Sequence, residues 1–295
     1  MQINANIKQL DSKEYKLILD STRFPVSESH NEVIAKVIEK ATNDLKLKFI
    51  PSYGKPKERT VWYLDTVEHD FYKNNSFTVR VKKKKKDNGK FEHDVTFKIR
   101  TLDKDKTLSY NLQPNSPQEE FKIEEKNIFE EDIISEYGSQ FSLSTELEFK
   151  EDKYLARFKD AICEDVLSIF PSIKLDVLGD KTLTNVNGLK VQEITYELGE
   201  ILFEDNIQAK MELSIWYLES DLKKIAEMKP IIEEFDIEVS LKNSDINNNN
   251  TENPFSGPSI EVIEDLYKKI QCESIVNLNG TTKTKFIYNY DKQET

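Results

Sequence analysis

"FTVRVKKKKKDNGKFEHDVTFKIR", residues 77–100, alternates apolar and cationic side chains over two short runs, in a chain of 295 residues whose formal net charge is −12. Successive side chains on a strand point to opposite faces, so Val79 and Val81 share one face while Arg80, Lys82 and Lys84 share the other. The second run repeats the pattern, with Val95, Phe97 and Ile99 opposing Thr96, Lys98 and Arg100. Asp87-Asn88-Gly89 between them tolerates positive φ, which predicts a tight turn. The segment therefore reads as one β-hairpin, oily on one face and strongly positive on the other.

The same period recurs along the chain. Tyr15, Leu17 and Leu19 oppose Ser12, Glu14 and Lys16; Phe121 and Ile123 oppose Glu120, Lys122 and Glu124; Leu147 and Phe149 oppose Glu146, Glu148 and Lys150. "AKMELSIW" (209–216) and "FDIEVSLK" (235–242) put Glu212 and Ser214, then Glu238, Ser240 and Lys242, on polar faces. Taken singly, each strand fits a sheet with one face on a core and one in water. Taken together they are segregated by sign, because cations dominate the hairpin and carboxylates the other strands. Intervening helices also need an apolar sheet face to cover. A mostly antiparallel β-barrel of the α+β class, charged inside and packed by helices outside, satisfies every strand at once. Such a tunnel binds a polyanion through Arg and Lys and a divalent metal through Glu.

Helical spacing of Val33, Ile34, Val37, Ile38, Ala41 and Leu45 predicts a helix over 29–45, and 152–170, 219–235 and 259–271 carry the same period. "KTKFIYNY" (283–290) reads as a last strand, and the polar stretch 243–258 as a mobile loop. With 295 residues, 37% hydrophobic and 33% charged, the chain can bury a sizeable core and fits one large domain or two small ones. It has no run of ~18 apolar residues and no apolar signal-peptide core, so a cytoplasmic address without membrane contact is expected. Cys163 and Cys272 are read as reduced. The acidic balance argues against general nucleic-acid binding, so any anion site must be local. His30, His69 and His93 have no metal-site spacing, and no glycine-rich phosphate loop or Gly-x-Ser-x-Gly is present. Lys83 to Lys86 read as a solvated hairpin tip, and Tyr63 and Asp65 fit structural roles as well as functional ones.

These runs resemble the CYTH family, the triphosphate tunnel metalloenzymes. "WYLDT" (62–66) is similar to that family's Tyr-Phe-Asp-Thr strand, "FTVRVK" to its Leu-Arg-x-Arg strand and "TFK" (96–98) to its Thr-Leu-Lys strand, in the same order and spacing. "GDKTLTN" stands where the family has Lys-Thr-Arg, matching Lys181, and "KMELSIWYLESDLKKIAEM" resembles its late strand of alternating glutamates. The family's Glu-x-Glu-x-Lys is represented by Ser12-Lys13-Glu14-Tyr15-Lys16, which lacks the first acid, and Ser214 follows Glu212 where a second acid would stand. A complete Glu-x-Glu-x-Lys occurs at 146–150, after the basic strands, where coincidence in a Glu- and Lys-rich chain competes with a role in the site. The resemblance implies a single domain over 1–295, with insertions relative to the family expected at about 127–175 and 243–258.

The resemblance implies that Arg80, Lys82, Lys98, Arg100 and Lys181 hold the phosphates of a linear triphosphate. It implies that Glu14, Glu212 and one or both of Glu120 and Glu124 hold Mg²⁺ or Mn²⁺, with Glu212 and Lys16 catalytic and Lys16 positioning water or substrate. The expected activity is metal-dependent hydrolysis of a triphosphate-bearing partner: inorganic triphosphate, a thiamine or nucleoside triphosphate, or an RNA 5′ end. Alternatives are an adenylate cyclase and a non-catalytic polyphosphate- or nucleotide-binding module.

Overall fold

The computed structural model describes residues 8–25, 27–86, 89–115, 121–134, 138–149, 161–177, 179–219, 229–242 and 254–290. Its strands are β1 (Ser12–Ile18), β2 (Phe49–Pro51), β3 (Lys57–Asp65), β4 (Phe77–Lys85), β5 (Phe91–Thr101), β6 (Phe121–Ile134), β7 (Gly138–Phe149), β8 (Thr184–Asn185), β9 (Val191–Leu202), β10 (Ile207–Leu218) and β11 (Ile232–Leu241). They pair in the order β2-β9-β10-β11-β1-β6-β7-β5-β4-β3-β8, and β3 also pairs with β9. That last pairing, from Lys57 opposite Thr195 to Val61 opposite Val191, closes nine strands into a barrel. Every neighbouring pair in the ring is antiparallel except β1 and β6, so the barrel is mixed. The α+β tunnel expected from the alternation is the fold observed.

The period-2 pattern decides which way each strand faces. Leu17, Val79, Val81, Phe97, Ile99, Leu147, Leu213, Ile237 and Val239 are fully buried on the outer face. Helices α1 (His30–Asp44) and α5 (Pro258–Gln271) cover part of it, adding Ile34, Ile38, Ile263, Leu266 and Ile270 to the same core. Tyr15 meets Tyr267 with ring centroids 5.4 Å apart. After the short α4 (Cys163–Leu167), Phe170 packs edge-on to Phe97 at 4.7 Å. Burying one such large side chain contributes roughly 1.5–3 kcal/mol, so the helices are held to the barrel by its oily exterior. Gly199 on β9 has φ +147°, and a Cβ there would lie 2.4 Å from the Ile50 carbonyl oxygen, so glycine is needed where β2 crosses.

Three expectations change. Residues 283–290 do not form a strand: Lys283–Asn289 is helix α6, started by Thr282, whose side chain accepts the Lys285 N–H. A run this short with a Thr cap fits either period, and the apolar pair Ile287 and Tyr288 found a separate core to enter. That core holds Val61, Tyr63, Val191, Trp216 and Ile232, which stand on the inward face of their strands, so α6 closes one end of the barrel. Within the expected helix 219–235, Ile232–Phe235 begins β11, because its alternation continues into 236–241; residues 220–228 lie outside the described set. Residues 127–134 and 138–149, inside the stretch expected as an insertion, belong to β6 and β7 of the barrel wall. The turn at Asp87-Asn88, residues 150–160 and 243–253 also lie outside the described residues, while Gly89 has φ +78° as a tight turn requires. Cys163 and Cys272 are free. Among the described residues no helix is long and apolar enough to cross a membrane.

One buried pair on the exterior yields a pH prediction. Glu233 of β11 is 1% exposed, its Oε1 lies 2.7 Å from His30 Nδ1 at the start of α1, and its Oε2 has no hydrogen-bond partner among the described residues. Burial, and secondarily Asp20, push its carboxyl up to about 8. A raised folded-state value means stability present below the unfolded value of ~4.5 and lost as pH rises through about 8. Glu233→Gln keeps the shape without the charge. Its Tm should gain on wild type between pH 5 and 8 and hold the gain above; parallel Tm curves for the two proteins would contradict this assignment.

Candidate active site: a lumen divided by charge

The barrel encloses a cavity of about 910 Å³. Around its wall the charges fall into two arcs. β9, β10, β11, β1 and β6 contribute Glu193, Glu212, Glu234, Asp236, Glu238, Glu14 and Glu130, while β3, β4 and β5 contribute Arg59, Arg80, Lys82, Lys98 and Arg100. Hydroxyl and carboxyl groups of Ser144 and Glu146 on β7 and of Thr195 on β9 stand where the arcs meet.

Strand register concentrates the acids. Glu14 lies directly opposite Glu238, and Glu212 directly opposite Asp236. Like charges facing each other across a strand pair are destabilising. Burial pushes Glu14 up to about 7, with Lys16 opposing and Glu130 and Asp132 adding to the rise. Burial, then Glu14 and Glu234, hold Asp236 well above the usual carboxylate range, and burial and Glu130 raise Glu238. No hydrogen bond is made by the carboxylates of Glu212, Asp236 or Glu238 among the described residues. Oxygen ligands crowded in this way fit a hard divalent cation. Among the described residues no three His, Cys, Asp or Glu side chains converge to enclose an ion. A cation held here would therefore draw one or two carboxylates from the protein and the rest of its shell from other oxygens.

The cationic arc is mostly neutralised from within. Arg100 Nε donates to Asp132 at 2.8 Å, Lys98 to Glu130 at 2.7 Å and Lys82 to Glu146 at 3.1 Å. Lys16 binds Asp132 at 2.5 Å and also contacts Glu14. Arg59 reaches Glu193 at 3.4 Å, and Lys283 of α6 reaches Glu234 at 3.2 Å and Glu193 at 3.7 Å. Burial alone would raise Asp132, but Arg100, Lys16 and Lys98 hold it well below the usual range. Lys82 and Thr96, against the effect of burial, bring Glu146 down to about 2. Arg80 is the exception: among the described residues its guanidinium makes no hydrogen bond or ion pair, and it faces the cavity with its donors unused. Five N–H donors in a planar fork match phosphate oxygens bidentately.

No protein-family model matches the chain, and no curated protein sequence matches it. A solved structure is similar over its length: HpAC1 from Hippeastrum, described as an adenylyl cyclase candidate that reveals a dominant triphosphatase activity, with 11% identity, 93% of each chain covered and a TM-score of 0.40.

Of the residues expected in the site, Glu14, Lys16, Arg80, Lys82, Lys98, Arg100 and Glu212 line this one cavity. Lys181 does not. It lies outside the lumen on a loop before β8, paired with Asp70 at 2.7 Å and Glu68 at 3.2 Å. Its segment is drawn to the acids of α2 (Asp70–Asn75) rather than inserted as a barrel strand. Glu124 is exposed at a strand end and paired with Lys122, away from the cavity; Glu120 lies outside the described residues. Glu146 of the 146–150 run does enter the lumen, and Lys150 lies outside the described residues. Sequence reasoning missed Arg59, Glu130, Glu193, Glu234, Asp236 and Lys283. The alternation of "FDIEVSLK" carried a signal for Asp236 in phase with Glu238; nothing local marked Lys283.

Tyr63 and Asp65 separate. Tyr63 lines the cavity. Asp65, 0% exposed, accepts from the N–H groups of Thr66, Phe71 and Tyr72 and from the Tyr288 hydroxyl, which ties α6 to α2. Its role is structural.

Proposed function

We propose that this protein binds linear triphosphates in its lumen and hydrolyses them with the help of Mg²⁺ or Mn²⁺. One observation carries the reading: a cationic arc and a carboxylate arc face each other across a single cavity of about 910 Å³. Arg80, Lys82, Lys98 and Arg100 would grip phosphate oxygens. Glu14, Glu212, Asp236 and Glu238 would hold the cation, which when bound supplies neutralisation of the charge on the phosphoryl oxygens. Lys16, fixed by Asp132 and next to Glu14, would orient the attacking water. No side-chain nucleophile is required for in-line attack.

A second reading is favoured by a specific observation. Ser12 and Ser214 occupy inward positions, at 5% exposure each, that acids could fill, so the metal set is sparse. Polyphosphate binding without turnover follows if it is too sparse. Phosphate release from a panel of triphosphates, with and without Mg²⁺ or Mn²⁺, tests the proposal. Metal-stimulated orthophosphate release is expected, together with a larger Tm rise from tripolyphosphate than from orthophosphate. Pyrophosphate release from ATP would indicate a cyclase instead, and equal Tm shifts would remove the triphosphate site.

A further inference from the structure

The run Lys82 to Lys86 is sorted by strand geometry into two rows with different fates. Lys82, Lys84 and Lys86 are all ion-paired: Lys82 with Glu146 (3.1 Å), Lys84 with Glu92 and Asp94 (3.1 Å each), Lys86 with Glu92 (2.7 Å) and Glu148 (3.4 Å). Lys83 and Lys85 point outward, and neither makes an ion pair among the described residues. Lys83 Nζ instead sits 3.9 Å above the Phe91 ring, which is 48% exposed. Beside it, the half-buried ring of Trp62 on β3 lies 5.0 Å under Nζ of Lys190, the residue before β9, which likewise has no ion pair among the described residues. Register joins these groups into one face: Lys83 lies between Thr60 and His93, Lys85 is opposite Phe91, and Trp62 meets His93 edge-on at 6.3 Å. In a chain with 54 acids against 42 bases, an isolated lysine finds a carboxylate easily, so three lysines without an ion pair among the described residues, beside two aromatic rings, stand out.

We propose that this outer face of the β4–β5 hairpin binds single-stranded nucleic acid, independently of the lumen. Phosphates would take Lys83, Lys85 and Lys190, and bases would stack on Phe91 and Trp62 as the ammonium groups leave the rings. Exposed cation–π contacts are weaker than base–aromatic stacking, so the exchange runs toward the nucleic acid. An acidic peptide satisfies the lysines but leaves the rings unused.

The test uses the full chain and a fluorescein-labelled 15-mer oligo-dT with a 5′-hydroxyl end, read by anisotropy at 50 mM salt. Three phosphate contacts predict a log–log salt slope of about −2 for a single strand, falling to about −0.7 in Lys83→Glu/Lys85→Glu. Phe91→Ala, exposed and safe for folding, should weaken binding about tenfold. Arg80→Ala should bind the oligonucleotide as wild type does. No binding at 50 mM salt, loss in Arg80→Ala with none in the double variant, an unchanged Phe91→Ala, or equal affinity for poly-glutamate would each overturn the proposal.

Discussion

Arg80→Ala should weaken tripolyphosphate binding by roughly two orders of magnitude, as expected for losing a bidentate charge-assisted contact, while leaving Tm nearly unchanged. The asymmetry follows from the lumen's internal pairing. Arg80 has no hydrogen-bonded carboxylate among the described residues, so its removal orphans nothing. Arg100→Ala makes the opposite case. It strips the 2.8 Å partner from Asp132, which is 0% exposed, and leaves that carboxylate paired with Lys16 and otherwise only the more distant charge of Lys98. Breaking a buried pair from one side costs about 3–5 kcal/mol, so Arg100→Ala should lower stability markedly as well as binding. Calorimetric titration with tripolyphosphate and thermal melts of both variants check the pair. Wild-type affinity in Arg80→Ala would remove the phosphate-binding role of the β4 strand.

Glu212→Gln should abolish most metal-dependent phosphate release, by about a hundredfold or more, with tripolyphosphate binding retained because the cationic arc supplies it. Folding should be unaffected or slightly improved, since the charge removed faces Asp236 across the strand pair. Ser214→Glu is the informative complement. Position 214 lies opposite Glu234 on β11 and Thr195 on β9, so a new carboxylate would add an anionic ligand beside Glu212 and a like-charge clash with Glu234. Without metal the variant should melt below wild type; Mg²⁺ or Mn²⁺ should restore the loss, and half-maximal activity should need less metal. The measurement is a metal titration of activity and of Tm in parallel. If wild type releases no phosphate at millimolar metal and Ser214→Glu does not rescue it, the hydrolase reading falls and the binding-module reading takes its place.

Most strands and their facing were legible in the residues because a two-residue period is a local property, but β9 and the second half of β6 were not read as strands. The sign segregation followed from the same pattern, so most of the cationic arc was named: Arg80, Lys82, Lys98 and Arg100 all reach the cavity. What alternation lacks is any information on which distant strands pair or in what register. The parallel pairing of β1 with β6 sets Lys16 beside Asp132, and β6 also supplies Glu130 to Lys98, across separations of 116 and 32 residues that no local rule specifies. The opposition of Glu14 with Glu238 and of Glu212 with Asp236, which makes the acidic arc, is likewise a property of register. Lys181 carried a sequence likeness but was captured by Asp70 and Glu68, an outcome of competing ion pairs that only the folded surroundings resolve. Helix α6 shows the same limit. Seven residues with a Thr cap are compatible with strand or helix, and the barrel end, with Val61, Tyr63 and Trp216 waiting for an apolar partner, chose between them.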